Sequence, residues 1–70
     1  MFEMKVEQQM NMSDRTLLLG IPEYDNIPKE ISVDDKKHKV IGISMGAKQP
    51  YMSLEIEKTE EQLKGKIILA

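Results

Sequence analysis

The chain has 70 residues, of which 40% are apolar and 31% charged, as expected for one small domain near the lower size limit for independent folding. It contains no cysteine and one histidine, which excludes disulfides, thiolate metal sites and a histidine-based zinc site. The net charge of −2 argues against a general affinity for nucleic acid. No stretch has the length of a membrane span or the core of a signal peptide, so we expect a soluble cytoplasmic protein without a cofactor.

Apolar and polar residues alternate along the start of the chain, with only Gln8 breaking the apolar series at even positions. The apolar side chains of this first segment share even positions: Phe2, Met4, Val6, Met10 and Met12. This period of two predicts a strand over roughly positions 2–12, because even positions would scatter around a helix. A turn at 13–15 precedes a second strand at 16–21, which is apolar enough to be buried on both faces. Within it, Gly20 indicates a bulge or a close backbone approach.

The middle of the chain is less regular. Two prolines, an aspartate and an asparagine predict a loop over 22–28. A short strand at 31–33 is followed by a turn at 34–35 and by another strand at 38–45, which the segment 46–50 closes. Alternation predicts that one face of the 38–45 strand carries Ile41, Ile43 and Met45.

The last third of the chain carries the clearest strand pattern, with apolar Met52, Leu54 and Ile56 alternating with polar residues. A single helical turn is predicted for 59–63 from capping-box spacing, and a final strand for 66–69. An apolar C-terminus needs a neighbouring strand. Six short strands with Gly and Pro turns predict an all-β, single-domain barrel over 1–70, because closure hides both edges.

The order of the apolar segments supports a family resemblance. The segments are Phe2–Val6, Leu17–Ile21, Val40–Ile43, Leu54–Ile56 and the closing stretch EEQLKGKIIL. This order resembles the second, β-barrel domain of translational GTPases of the elongation factor Tu type. The resemblance implies a free-standing barrel of a kind that often contacts RNA or a neighbouring GTPase domain. No GxxxxGK[ST] motif occurs, and the family's glycine-rich first turn is here Ser13-Asp14-Arg15, so neither nucleotide hydrolysis nor any functional residue is carried over.

The only basic cluster is Lys36, Lys37, His38 and Lys39. Its functional interpretation is a phosphate or nucleic-acid contact, in which the lysines act as point charges. The alternative is a solvated turn and strand start, countered by the neighbouring acidic turn at 34–35. No aromatic residue is interleaved to stack bases, which favours the alternative.

No catalytic constellation is visible, because the adjacent carboxylates stand in polar turns and the serines have no nearby histidine. We therefore expect no enzyme. Tyr24 and Tyr51 stand in or beside loops, and tyrosine is enriched at protein interfaces; the alternative is that both rings cap the barrel ends. The leading hypothesis is a non-enzymatic barrel that binds another protein. The alternatives are an RNA- or ribosome-associated barrel and a homodimer that completes its core at the interface.

Overall fold

The structure is a computed structural model that describes residues 1–44 and 50–70. Within these residues the chain forms strands and no helix, which confirms the all-β class. The eight strands are β1 (Phe2–Lys5), β2 (Gln8–Asn11), β3 (Arg15–Gly20), β4 (Pro22–Tyr24), β5 (Glu30–Val33), β6 (Lys36–Ser44), β7 (Met52–Glu57) and β8 (Ile67–Leu69).

All strand pairs are antiparallel and form one sheet in the order β2-β3-β7-β6-β5-β8-β1-β4. The sheet surrounds a single core. Its buried apolar members are Phe2, Met4, Val6, Leu18, Ile31, Val33, Met52, Leu54, Ile56, Leu63 and Ile68. The sheet is not closed into a barrel, because β2 and β4 at its ends each pair with one strand. We predicted a closed barrel because closure leaves no edge strand, whereas the structure has two edge strands, β2 and β4.

The long first strand predicted over 2–12 is two strands. Met4 lies opposite Pro22 in β4, whereas Gln8 lies opposite Leu19 in β3, so the register shifts by one residue between β1 and β2. A shift of one residue moves every following side chain to the other face of the sheet. Phe2 and Met4 are therefore buried, but Met10 is 59% exposed, and the prediction of one shared apolar face was wrong for Met10 and Met12.

The segment 22–28, predicted as a loop, begins with the short strand β4. Its residues pair with β1, with Tyr24 opposite Phe2 and Pro22 opposite Met4. A proline is compatible with this position because β4 is an edge strand and Pro22 is its first residue. The two prolines of the segment predict a turn, and only the tertiary partner β1 makes the start of it a strand.

Gly20 marks a close backbone approach, as the sequence predicted. An ideal Cβ built on Gly20 would lie 2.2 Å from the carbonyl oxygen of Lys5 and 2.9 Å from Cγ of Met4. Any side chain at this position would therefore collide with the backbone of β1. The absence of a Cβ lets β3 cross β1 at the point where the chain turns into β4.

Two local irregularities shape β6. The turn that enters it consists of Asp34 and Asp35, which have φ angles of 52° and 66° and join residues opposite each other in the ladder. Positive φ at both loop residues is the signature of the type I′ hairpin turn. A bulge between Val40 and Gly42 then exposes Ile41, so the prediction that Ile41 and Ile43 share one face was wrong. Met45 lies outside the described residues.

The segment between β7 and β8 is irregular, and the helical turn predicted for 59–63 was wrong. Its polar atoms bond to the sheet instead: the N–H of Leu63 donates to Oε1 of Gln9 at 2.7 Å, and Nε2 of Gln9 donates to the carbonyl of Glu61 at 2.8 Å. The side chain of Leu63 is buried in the core. The C-terminal strand β8 follows and pairs with β1 and β5, which confirms the predicted pairing of the apolar C-terminus.

Candidate functional site

The outer face of β3 carries two leucines that the core does not use. Leu18 is completely buried, and its neighbours Leu17 and Leu19 project to the opposite side of the sheet, where they are half-buried. On one side they lie opposite Glu55 and Ser53 of β7. This run was predicted to be buried on both faces. The structure corrects the prediction, because no second layer covers the outer face among the described residues.

Strand β2 extends this apolar surface. Met10 lies opposite Leu17, and Gln8 lies opposite Leu19. Side chains directly opposite each other in an antiparallel pair lie on the same face and contact one another. The register shift between β1 and β2 is what brings Met10 to the outside. The result is an exposed methionine beside two half-buried leucines.

These side chains line a groove of about 400 Å³, called here the outer groove. Among residues 1–44 and 50–70, its lining residues are Gln8, Gln9, Met10, Leu17, Leu19, Ser44 and Ser53. None of these described residues is charged, although 31% of the chain is charged. An apolar groove bordered by such side chains suits the apolar side chains of a ligand.

An ion-pair cluster bounds the apolar face at one end. Nη1 of Arg15 lies 2.5 Å from Oε1 of Glu55, and Nη2 lies 3.1 Å from Oδ2 of Asp14. The hydrogen bond from Arg15 holds the pKa of the Asp14 carboxyl below its ordinary value, and the hydrogen bonds that Arg15 donates to Asp14 and Glu55 raise its own pKa. The charges at this end are thus engaged with one another within the chain.

At the other end of the β3–β7 pair, two exposed side chains, Ile21 and Tyr51, lie next to the last paired residues. Met52 is buried opposite Gly20 at the end of the β3–β7 ladder. The residues one position beyond this pair are Ile21 and Tyr51, which are 47% and 38% exposed. By the alternation of the strands they fall on the side of Leu19 and not on the core side. We infer from this extrapolation that Tyr51, a candidate binding residue from the sequence, lies beside the outer face; it is not among the described residues that line the outer groove.

Tyr24, the other candidate tyrosine, lies elsewhere. It is on β4, where its ring packs against Phe2 with centroids 5.9 Å apart and planes inclined at 50°. Strand β4 pairs with β1 alone, whereas Tyr51 precedes β7, which pairs with β3 and β6. The ring of Tyr24 is 46% exposed, so it covers Phe2 at the rim of the core. Strand β4, which carries Tyr24, and strand β7, which Tyr51 precedes, are not paired with each other.

The basic cluster is divided by the alternation of β6. His38 points inward, is 7% exposed and lies opposite Ile31, and its Nε2 has no hydrogen-bond partner among residues 1–44 and 50–70. Lys36 pairs with Glu61 at 3.0 Å and Lys37 with Glu30 at 3.9 Å. Lys39 is exposed. The four residues predicted as one basic site therefore do not share a face, and two of the three lysines have carboxylate partners.

The residues that the sequence did not identify are Met10, Leu17 and Leu19. The sequence feature that could have identified them is the unbroken apolar run of β3, together with the absence of charge from Gln8–Asn11. A central strand with two apolar faces needs a layer on each face, and a 70-residue chain has little material for a second layer. An exposed apolar face on β3 could have been predicted from this shortage.

No known protein family, no curated protein and no solved structure matches this chain. In residues 1–44 and 50–70, no three His, Cys, Asp or Glu side chains come together in a way that could hold a metal ion. The same part of the chain contains no helix that could cross a membrane. The candidate site is therefore defined by the geometry of the outer groove.

Proposed function

We propose that this chain is a non-enzymatic, cytoplasmic binding module whose partner is another protein. The observation that carries the proposal is the outer groove of about 400 Å³, whose described lining residues carry no charge, with the exposed side chain of Met10 at its border. Apolar patches with polar borders mark interaction sites on small proteins. Methionine suits such a surface because its flexible, polarisable side chain adapts to different ligands.

The groove favours a ligand segment that presents one or two aliphatic side chains. Burial of a single aliphatic side chain contributes about 1.5–3 kcal/mol, part of which the ordering of the ligand offsets. Two such side chains contribute at most about 6 kcal/mol, so we expect dissociation constants no tighter than about 50 μM from these contacts. Tyr51 at the end of the face adds a large, partly polar surface of the kind that is enriched at protein interfaces.

The test uses a displayed library of random decapeptides selected against the folded protein, followed by amide chemical-shift mapping of the enriched peptides. We expect peptides with aliphatic residues, whose shifts cluster at Met10, Leu17 and Leu19. The variant Leu19→Lys places a charge in the groove and should weaken binding at least about tenfold. The control Ile67→Lys places the same charge on exposed β8 and should leave binding unchanged.

Peptide shifts centred elsewhere, or binding that is equal in Leu19→Lys and Ile67→Lys, would contradict the proposal. The second candidate function, an RNA- or ribosome-associated barrel of the translation-factor type, is tested on the same sample with a short mixed-sequence RNA. Its support is the order of the apolar segments and the exposed Lys39. Salt-sensitive shifts at Lys36–Lys39 would favour it over the protein-binding module.

A further inference from the structure

The two edge strands of the sheet differ in how they are protected. Strand β4 is three residues long, begins with Pro22 and carries Glu23, and both proline and charge discourage pairing with another chain. Strand β2 reads Gln-Gln-Met-Asn and contains neither proline nor charge. Natural sheets normally guard an edge against pairing, so the unguarded edge of β2 is the one suited to receive a further strand.

The backbone of β2 presents hydrogen-bonding groups to that edge. The N–H of Met12 donates to the carbonyl of Arg15 at 2.7 Å, which fixes which residues of β2 bond to β3. Because bonded and non-bonded pairs alternate in an antiparallel ladder, Met10 also bonds to β3, and Gln9 and Asn11 direct their N–H and C=O groups away from it. These two residues form the pairing edge.

We propose that the strand received by this edge is β2 of a second copy of this chain, in an antiparallel pair centred on Met10. In this register Gln9 of one copy faces Asn11 of the other, and each pair exchanges two backbone hydrogen bonds, about four in all. The twofold axis passes between the two Met10 residues, whose side chains lie on the same face. In every other twofold register, Gln9 or Asn11 would face either a residue outside β2 or one whose backbone groups bond to β3.

The composition of the edge is self-complementary. Gln8, Gln9, Met10 and Asn11 are uncharged, so the twofold pair juxtaposes no like charges within the strand. The two copies of Met10 meet in a non-hydrogen-bonded pair, where Cα atoms approach to about 4.5 Å and side chains contact closely. The exposed methionine, 59% accessible in the single chain, is covered by its counterpart.

This pairing rests on the proposed function in one respect, because Met10 also lines the outer groove. A twofold axis perpendicular to the sheet places the two outer grooves side by side on one surface. The dimer thus presents a longer binding surface than the single chain. A four-residue edge buries far less than the roughly 1,200 Å² of a stable interface, so we expect a reversible dimer that forms at high micromolar concentration.

The absence of cysteine from the chain allows a direct test by crosslinking. Met10→Cys places one thiol at the proposed axis, and Ile67→Cys, at a residue with 52% exposure on β8, is the matched control. Opposed residues of a non-hydrogen-bonded pair have the Cβ separation that a disulfide accepts. We expect disulfide dimers of Met10→Cys to form at least about tenfold faster than those of Ile67→Cys at equal thiolate concentration.

Sedimentation of the wild-type chain supplies the second measurement. The weight-average mass should rise between about 10 μM and 1 mM, and Met10→Lys, which opposes two ammonium groups at the axis, should remain monomeric. Equal crosslinking of the two cysteine variants, or a monomeric wild type at about 1 mM, would overturn the self-pairing. If decapeptides still bind the groove of that monomer, the proposed function survives and only the dimer is lost.

Discussion

At the scale of single residues, Gly20 shows how one missing Cβ permits the fold. Alanine at this position would place a carbon 2.2 Å from the backbone oxygen of Lys5, which a side-chain rotation cannot relieve. We expect Gly20→Ala to lower the free energy of unfolding by about 2–3 kcal/mol through displacement of β1 from β3. The matched control is Gly42→Ala, where an added Cβ meets nothing within 4 Å and stability should change by less than about 0.5 kcal/mol.

Chemical denaturation of the two glycine variants gives the comparison. Similar free energies of unfolding for Gly20→Ala and Gly42→Ala would mean that the approach of β3 to β1 is looser than the structure shows. A normal denaturant m-value in both variants is required, because a changed m-value indicates a change in the native or denatured ensemble and not a local clash.

His38 is the second residue with an effect that can be isolated. Its Nε2 is buried and has no hydrogen-bond partner in the part of the chain that the structure describes, an arrangement that costs the folded state about 1–3 kcal/mol in lost hydration. We therefore expect His38→Leu to raise the free energy of unfolding by about 1 kcal/mol, since leucine fills much of the volume and leaves no polar atom unsatisfied. Thermal unfolding measures the change, with exposed Lys37→Leu as the control for the strand. A destabilised His38→Leu variant would show that the imidazole makes a favourable contact in the core.

At the scale of elements, the side chain of Gln9 holds the segment between β7 and β8 against the sheet. Its amide accepts from the N–H of Leu63 and donates to the carbonyl of Glu61, as a neighbouring strand would do. We expect Gln9→Ala to lower the free energy of unfolding by about 1–2 kcal/mol, because two partly buried backbone groups lose their partners. Amide exchange at Leu63 should accelerate more than exchange in β7.

Gln8→Ala is the matched control for this element. Gln8 is the preceding residue of the same strand, but its side chain is exposed on the outer face. Stability and exchange at Leu63 should remain close to wild type in this variant. If both glutamine variants accelerate exchange at Leu63 equally, then the effect comes from the strand as a whole and the amide bonds of Gln9 are not responsible.

An element could be predicted from the sequence where its own residue pattern determines which of its side chains are buried. The alternation of Met52, Leu54 and Ile56 located β7, because one face of that strand meets the core along its whole length. The register shift before β2 and the bulge at Ile41 were not visible, because tertiary pairing decides where a strand slips by one residue. For the same reason the sequence missed the outer position of Met10.

The sequence did not identify the residues that line the outer groove. Tyr51 was singled out as an interface residue, and it directly precedes β7 with 38% exposure, but it is not among the described lining residues. Leu17 and Leu19 were interpreted as core, since an apolar run does not reveal how many layers of structure cover it. The arrangement of the basic cluster was not visible for a different reason: neighbours along a strand point to opposite faces, so His38 is buried while Lys37 and Lys39 are exposed.

At the scale of the whole molecule, the C-terminal strand completes the sheet. Ile68 is fully buried opposite Met4, and β8 joins β5 to β1. We expect removal of residues 67–70 to abolish cooperative unfolding, because the loss of one central strand leaves β1 and β5 with free edges and an open core. Circular dichroism during heating measures this. Leu69→Gln, a change at an exposed position of the same strand, should retain a cooperative transition. A cooperative transition in the truncated chain would contradict the prediction.

The hydrogen bonds between Phe2 and Ala70 have a consequence for topology. The N–H of Phe2 donates to the carbonyl of Ala70 at 2.8 Å, and the N–H of Ala70 donates to the carbonyl of Phe2 at 2.9 Å. The polypeptide is therefore almost a ring, which a short glycine linker could close. New termini opened between Asp34 and Asp35 would leave every strand uncut and remove two residues from the left-handed conformation that the turn requires. A circular permutant of this design keeps every described strand, joins β8 to β1 through the linker and separates β5 from β6 in sequence.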